Sequence, residues 1–176
     1  MIGLTRNKVE IVSYSATWPD IFKLERDKLM VILGVGNVLD IQHVGSTSIP
    51  HMEAKPIIDI AIAVENFEEA KKLVEPMVEN GYTYRGENGI PRRHFFIKYS
   101  DEKSLFHVHM NEVTSKDWIG QIYFRDYLRT HENKCKEYIQ LKNDLAKEFP
   151  LDREAYTKGK NDFIQSILST KTSSNQ

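Results

Sequence analysis

A chain of 176 residues, 40% hydrophobic and 28% charged, has the length and composition of one domain with a single sizeable core. Its 24 Lys and Arg against 25 Asp and Glu give a net charge of -1, which argues against bulk nucleic-acid binding through a global basic field. The lone cysteine, Cys135, excludes an internal disulfide; no apolar run approaches the roughly 20 residues of a membrane span, and Met1 to Lys8 lacks the apolar core of a secretory leader, so a cytoplasmic protein is expected.

In chain order, residues 9–14 read as a short strand or extended arm. Thr17 is placed to cap a helix that carries Trp18, Ile21, Phe22, Leu29, Ile32 and Leu33 on one stripe and ends at Gly34 and Gly36. Residues 38–44 and 56–64 have the β-branched content of two strands. Residues 67–80 form a helical pattern stopped by Gly81, with Pro76 distorting its last turn. Strands follow at 82–85, 93–99 and 105–112, the last two joined by a connection short enough to be antiparallel. Three helices close the chain: one capped by Ser115, one over 132–149, and one capped by Asp152. Residues 1–168 make one domain, and the apolar-poor tail 169–176 is expected to be disordered. This order predicts an α+β domain: a mixed sheet with flanking helices and a C-terminal helical portion.

The most informative stretch is His43-Val44-Gly45-Ser46-Thr47-Ser48-Ile49-Pro50, followed by Lys55-Pro56-Ile57-Ile58-Asp59-Ile60-Ala61. Gly45 lets the backbone turn sharply or approach a ligand, and Ser46 and Ser48 offer hydroxyls beside free amides, the makings of a phosphate-holding turn. Asp59 is a lone acid inside an apolar strand. A buried carboxylate is costly unless it is paired or bound to a cation, so Asp59 either holds a single Mg²⁺ or caps the Gly45 turn. His107 and His109, two apart on a strand, share a face with Asn111; they are suited to a proton, a phosphate or a metal, or belong to a solvated sheet face. Arg85, Arg92, Arg93 and Lys98 cluster around the loop 86–91, and Arg125 and Arg129 are neighbours on a helix. Arg85, Arg93 and Arg125 are the phosphate candidates among them, with ordinary surface pairing as the alternative.

The run HVGSTSIP…AKPIIDI resembles the GrpB family (UPF0157-like) of small bacterial proteins. That family is similar to the DNA polymerase β-like nucleotidyltransferase superfamily. The similarity extends through Trp18-Pro19, Tyr84-Arg85-Gly86-Glu87, His107-Val108-His109, Phe124 to Arg129 and Arg153-Glu154-Ala155-Tyr156, covering residues 8–168. It implies a nucleotidyltransferase fold, Mg²⁺ on a catalytic Asp59, and a nucleotide or coenzyme as small-molecule partner; the strand spacing adds His107 and His109 as catalytic candidates for a proton or a phosphate oxygen. The superfamily pattern has a second acid where this chain has Ala61, and a Gly commonly follows the Pro of the turn where this chain has His51. Two function classes therefore stand: a metal-dependent nucleotidyltransferase, and a catalytically weakened nucleotide- or coenzyme-binding module. GrpB-like domains fused to dephospho-CoA kinase fit the second. A purely structural interaction domain is the third.

Overall fold

The computed structural model describes residues 2–173. Its strands are β1 (Leu4–Thr5), β2 (Asp40–Val44), β3 (Ile58–Val64), β4 (Tyr82–Tyr84), β5 (Arg93–Ser100) and β6 (Lys103–Glu112). They form one mixed sheet in the order β2-β3-β6-β5-β4, with β1 paired to the start of β6. Strands β3 and β6 run parallel; the other pairs are antiparallel.

The two faces of β3 differ because side chains alternate along a strand. Ile58, Ile60 and Ile62 are fully buried on one face, against Trp18, Leu29 and Leu33 of α1 (Trp18–Leu33) and against Phe96, Val108 and Met110 of the neighbouring strands. Burial of each isoleucine stabilises the fold by about 2 kcal/mol. Asp59, Ala61 and Ala63 lie on the other face. Over one end of that face sits α4 (Lys116–Thr130), whose Trp118 packs with Val44, Ala61 and Ala63.

The stripe expected on α1 is broken by Glu25, which is buried and bonded to Tyr82 and Lys98, both at 2.6 Å. Thr17 does not cap α1: its side chain makes no cap bond, and its hydroxyl bonds Ser15 Oγ at 2.8 Å instead. Residues 9–14 are an extended arm rather than a strand, tied to the body by the Val12–Ala54 bridge and by the Val9 amide on the Pro150 carbonyl at 2.8 Å.

The helix expected over 67–80 is in fact α2 (Phe67–Ala70), a 3₁₀ turn (Lys71–Leu73) and α3 (Val74–Glu79). Pro76 lacks an N–H and its ring excludes the carbonyl four residues back, so the distortion falls upstream of Pro76 and not in the last turn. Helices α5 (Glu132–Glu148), α6 (Arg153–Lys158) and α7 (Asn161–Ser173) complete the chain.

Two expectations about the C-terminus are corrected. The last helix is split after Lys158. The corner at Gly159 presses against Leu145, where any Cβ would collide with the leucine methyls. Residues 169–173 are helical, since α7 continues along α4 with Tyr123 bonded to Thr170 at 2.8 Å; residues 174–176 lie outside the described residues. No helix among the described residues is long and apolar enough to cross a membrane.

Candidate functional site

Gly45 leaves β2 with φ +67°, and a Cβ there would strike Asp59 Oδ2, so only glycine admits this approach of turn to carboxylate. A 3₁₀ turn over Ser46–Ser48 follows. Ser48 is spent internally: its amide and hydroxyl both donate to the Gly45 carbonyl, at 3.2 and 2.6 Å, and its own carbonyl accepts from Arg129 at 2.6 Å. The phosphate role expected of Ser48 therefore has no geometric support. The amides of Ser46 and Thr47 donate to none of the described residues, and both residues line a cavity, so the turn keeps two free backbone donors. The Thr47 hydroxyl meets His43 Nε2 at 3.0 Å; burial holds His43 at about 4, so its ring is neutral.

Asp59 lies directly across from His107 in the parallel ladder, and Ala61 lies across from His109. Asp59 Oδ1 is 3.4 Å from His107 Nδ1 and 3.6 Å from His109 Nε2. The outer ring nitrogens face arginines: Arg153 Nη2 is 3.1 Å from His107 Nε2, and Arg93 Nη1 is 3.1 Å from His109 Nδ1. A guanidinium only donates, so both outer nitrogens are acceptors. The inner N–H of each ring is thereby turned toward Asp59. Burial raises the carboxyl's pKa, but the two imidazoles outweigh it and hold Asp59 below the usual carboxylate range. Burial also pushes His107 down. The result is a five-residue chain, Arg93–His109–Asp59–His107–Arg153, converging on one cavity as the shared parity of the histidines requires.

Arg93 does not present a free guanidinium. Beyond His109 it donates to the carbonyls of Glu87 and Asn88, at 3.2 and 3.0 Å from Nη2, and so pins the loop 86–92 as a cavity wall. Its bonds make it a positioning residue for the loop and for His109. Arg125 does not line the cavity: Nη1 donates to Gln42 Oε1 and the His43 carbonyl, at 2.8 and 2.9 Å, and the other nitrogens bond Asp126. Its phosphate role falls too. Arg85 does line the cavity. Lys98 turns to Glu25 on the opposite face, and Arg92 to Glu112 at 2.8 Å. Cys135 is half-buried and burial pushes its thiol up, which argues against a reactive thiolate.

The cavity measures about 860 Å³ and has Phe95, Tyr138 and Tyr156 among its walls. Seven cationic side chains line it, including Arg6, Lys55, Arg153 and Lys160, against two carboxylates, Asp59 and Glu154. The sequence reading missed Lys55, Arg153 and Lys160. Lys55 stands four residues before Asp59 in the same motif, and Arg153 and Tyr156 have a helical spacing that marks them as neighbours.

The donor set does not fit Mg²⁺. A hard cation takes several oxygen ligands, and here one carboxylate is faced by two imidazole N–H groups. Position 61 shares the face of Asp59, as a second acid would require, but Ala61 is 0% exposed beneath Trp118. Among the described residues no group of three or more His, Cys, Asp or Glu is arranged to hold a metal ion.

A mixed sheet with the Gly-Ser turn at the end of β2 and Asp59 on β3 defines a nucleotidyltransferase-like fold. The Cid1 poly(U) polymerase in its MgATP-bound structure is similar at a TM-score of 0.53 and 12% identity, over 78% of this chain and 44% of that one; at this identity the likeness is one of fold. The chain belongs to the GrpB family, whose model, described as GrpB protein, matches residues 8–170. The crystal structure of GrpB from Enterococcus faecalis is similar at a TM-score of 0.83 and 33% identity, over 92% of this chain and 96% of that one. UPF0157 protein YqkA of Bacillus subtilis is 42% identical over 160 residues, 91% of this chain and 46% of YqkA, so the chain spans about half the length of that relative.

Proposed function

We propose that this protein is a binding module for a phosphorylated small molecule, a nucleotide or a nucleotide-containing coenzyme, and that it binds without a resident metal. The observation that carries this reading is the wall of the cavity: seven cations against two carboxylates, one of which already faces two imidazole N–H groups. Such a surplus inside a concave site of nucleotide size attracts a polyanion and lowers its cost of desolvation. Two free amides at Ser46 and Thr47 add directional donors, as backbone turns do at anion sites. Asp59 fixes the two histidines, and the arginines behind them fix their tautomers, so the chain holds the cavity wall in one geometry before the ligand arrives.

The test is calorimetric titration of ATP and of coenzyme A in EDTA, with the parent and with Asp59→Asn. A metal-independent anion site binds at least one of the two in EDTA. Asp59→Asn then binds as well as the parent or better, because it removes a negative charge from a cationic cavity. A strict need for Mg²⁺, lost together with Asp59, sinks this reading. Mg²⁺-dependent release of pyrophosphate from a nucleoside triphosphate would establish the transferase class instead.

A further inference from the structure

The cationic surplus is not spread evenly. Lys55, from the segment between the Ser46 turn and β3, and Lys160, from the corner between α6 and α7, both lie over the ring of Tyr156, with Nζ 4.9 and 4.6 Å from its centroid. Arg153 stands one helical turn before Tyr156 on α6 and uses one guanidinium nitrogen on His107. Neither ammonium group makes an ion pair or a hydrogen bond with any described residue. The two carboxylates that line the cavity do not release them. Glu154 is paired with Lys158 at 2.7 Å, and Asp59 faces His107 and His109.

Two unpaired ammonium groups at one aromatic ring, with the Arg153 guanidinium near enough for its charge to act on both, are destabilising in the folded protein alone. Half-buried ammonium groups lose hydration, and their mutual repulsion adds to that loss. The strain is visible in their titration: burial, then Lys160 and Arg153, pushes Lys55 well below the ordinary lysine value, and burial pushes Lys160 to about 8. Asp59 is the opposing charge that acts on both. The ring of Tyr156 is a neutral platform that offsets part of this cost and fixes where the amines stand.

We propose that Lys55, Lys160 and Arg153 around Tyr156 form a seat for one phosphate group, separate from the free amides of Ser46 and Thr47. The ligand of the cavity is then a molecule with at least two phosphate groups, a di- or triphosphate and not a monophosphate. One phosphate takes the two amides of the turn. Another is held by the two ammonium groups, with the Arg153 guanidinium beside them to contribute charge-assisted bonds. This inference rests on the reading that the cavity binds phosphates, and its test separates the two.

Sodium triphosphate, sodium pyrophosphate and inorganic phosphate are titrated in EDTA against the parent, Lys55→Gln, Lys160→Gln, Lys160→Arg and, as a control on the exposed side of α5, Lys147→Gln. Triphosphate and pyrophosphate are expected to bind the parent at least about tenfold more tightly than phosphate. Each glutamine variant at 55 or 160 is expected to lose about tenfold for triphosphate, while Lys160→Arg keeps most of it and Lys147→Gln all of it. Circular dichroism confirms that the variants are folded. In parallel, labelling of the parent with an amine-reactive reagent should modify Lys55 and Lys160, and triphosphate should protect both but leave Lys147 reactive. Parent-like affinity in Lys55→Gln and Lys160→Gln, or unprotected amines in a triphosphate-bound parent, overturns the seat and leaves the phosphate reading standing. A parent that binds none of the three anions, ATP or coenzyme A overturns both.

Discussion

Asp59 and His107 are register partners on the parallel strands β3 and β6, with the carboxylate 3.4 Å from Nδ1. The pairing explains why a single acid stands near the start of an apolar strand. Its charge is answered by two imidazoles, and each imidazole is locked by an arginine at its far nitrogen. A carboxylate held in this way is already satisfied, and that decides the outcome at position 61.

Ala61→Asp places a second acid on the face of Asp59, the arrangement a two-acid cation site would need. At 0% exposure and beneath Trp118 it has no water and no partner. The expected result is a loss of roughly 2–4 kcal/mol in chemical denaturation. No gain in Mg²⁺ affinity should appear in calorimetry. A stable variant that binds Mg²⁺ more tightly than the parent contradicts this account of the site.

Gly45→Ala tests the approach of the turn to Asp59. Alanine must adopt φ near +67° and its Cβ meets Asp59 Oδ2. The stability cost is expected to be at least about 2 kcal/mol, from the left-handed backbone and the collision together. Phosphate-ligand affinity should fall with it. Unchanged denaturation midpoints for Gly45→Ala and the parent would show that the turn relaxes away freely.

Arg93→Gln removes both the pin on loop 86–92 and the partner of His109 Nδ1. Backbone amides of the loop should exchange with deuterium about tenfold faster, the weight of one lost charge-assisted bond. The nitrogen NMR signature of His109 should move from one tautomer toward a mixture. If exchange and tautomer both stay put, Arg93 is not what positions them.

On the opposite face, Glu25 supplies an acid-sensitive tie between α1 and the sheet. Burial alone would raise its pKa, but the bonds from Lys98 and Tyr82 outweigh that and set it below its ordinary 4.5. The folded value thus lies under the unfolded one. Its stabilisation is complete above pH 4.5 and is lost as the pH falls through the lower folded value. Glu25→Gln should cost about 1–3 kcal/mol at pH 7 and less at pH 3. Melting curves that differ by the same amount at both pH values would remove Glu25 from the acid response.

The sheet was legible because β3 and β6 declare themselves by β-branched runs, and the parity of His107 and His109 placed both on the side of Asp59 correctly. The turn at Gly45 was legible for a similar reason: a glycine between two apolar runs marks a sharp change of direction. The protein partners of Ser48, Arg93 and Arg125 were not legible, because a sequence shows that a donor exists and not where its bonds go. Ser48 bonds the Gly45 carbonyl three residues back, Arg93 the carbonyls of the preceding loop, and Arg125 the distant Gln42 and His43. Lys55 and Lys160 were missed for the converse reason. Their meeting over Tyr156 depends on the corner at Gly159, and that corner depends on how α6 settles against Leu145. The break in α2–α3 was signalled by Pro76 but assigned to the wrong side of it.

The parallel pairing of β3 with β6 also governs when the cavity comes into being. Asp59 reaches His107 only after α2, α3, β4 and β5 have been gathered between them, and Arg153 arrives later in sequence still. Closing such long loops must be completed before their contacts reward it. The cavity around Asp59 is thus expected to close near the end of folding. A ligand of this protein acts as a brake on unfolding and leaves the rate of folding almost untouched.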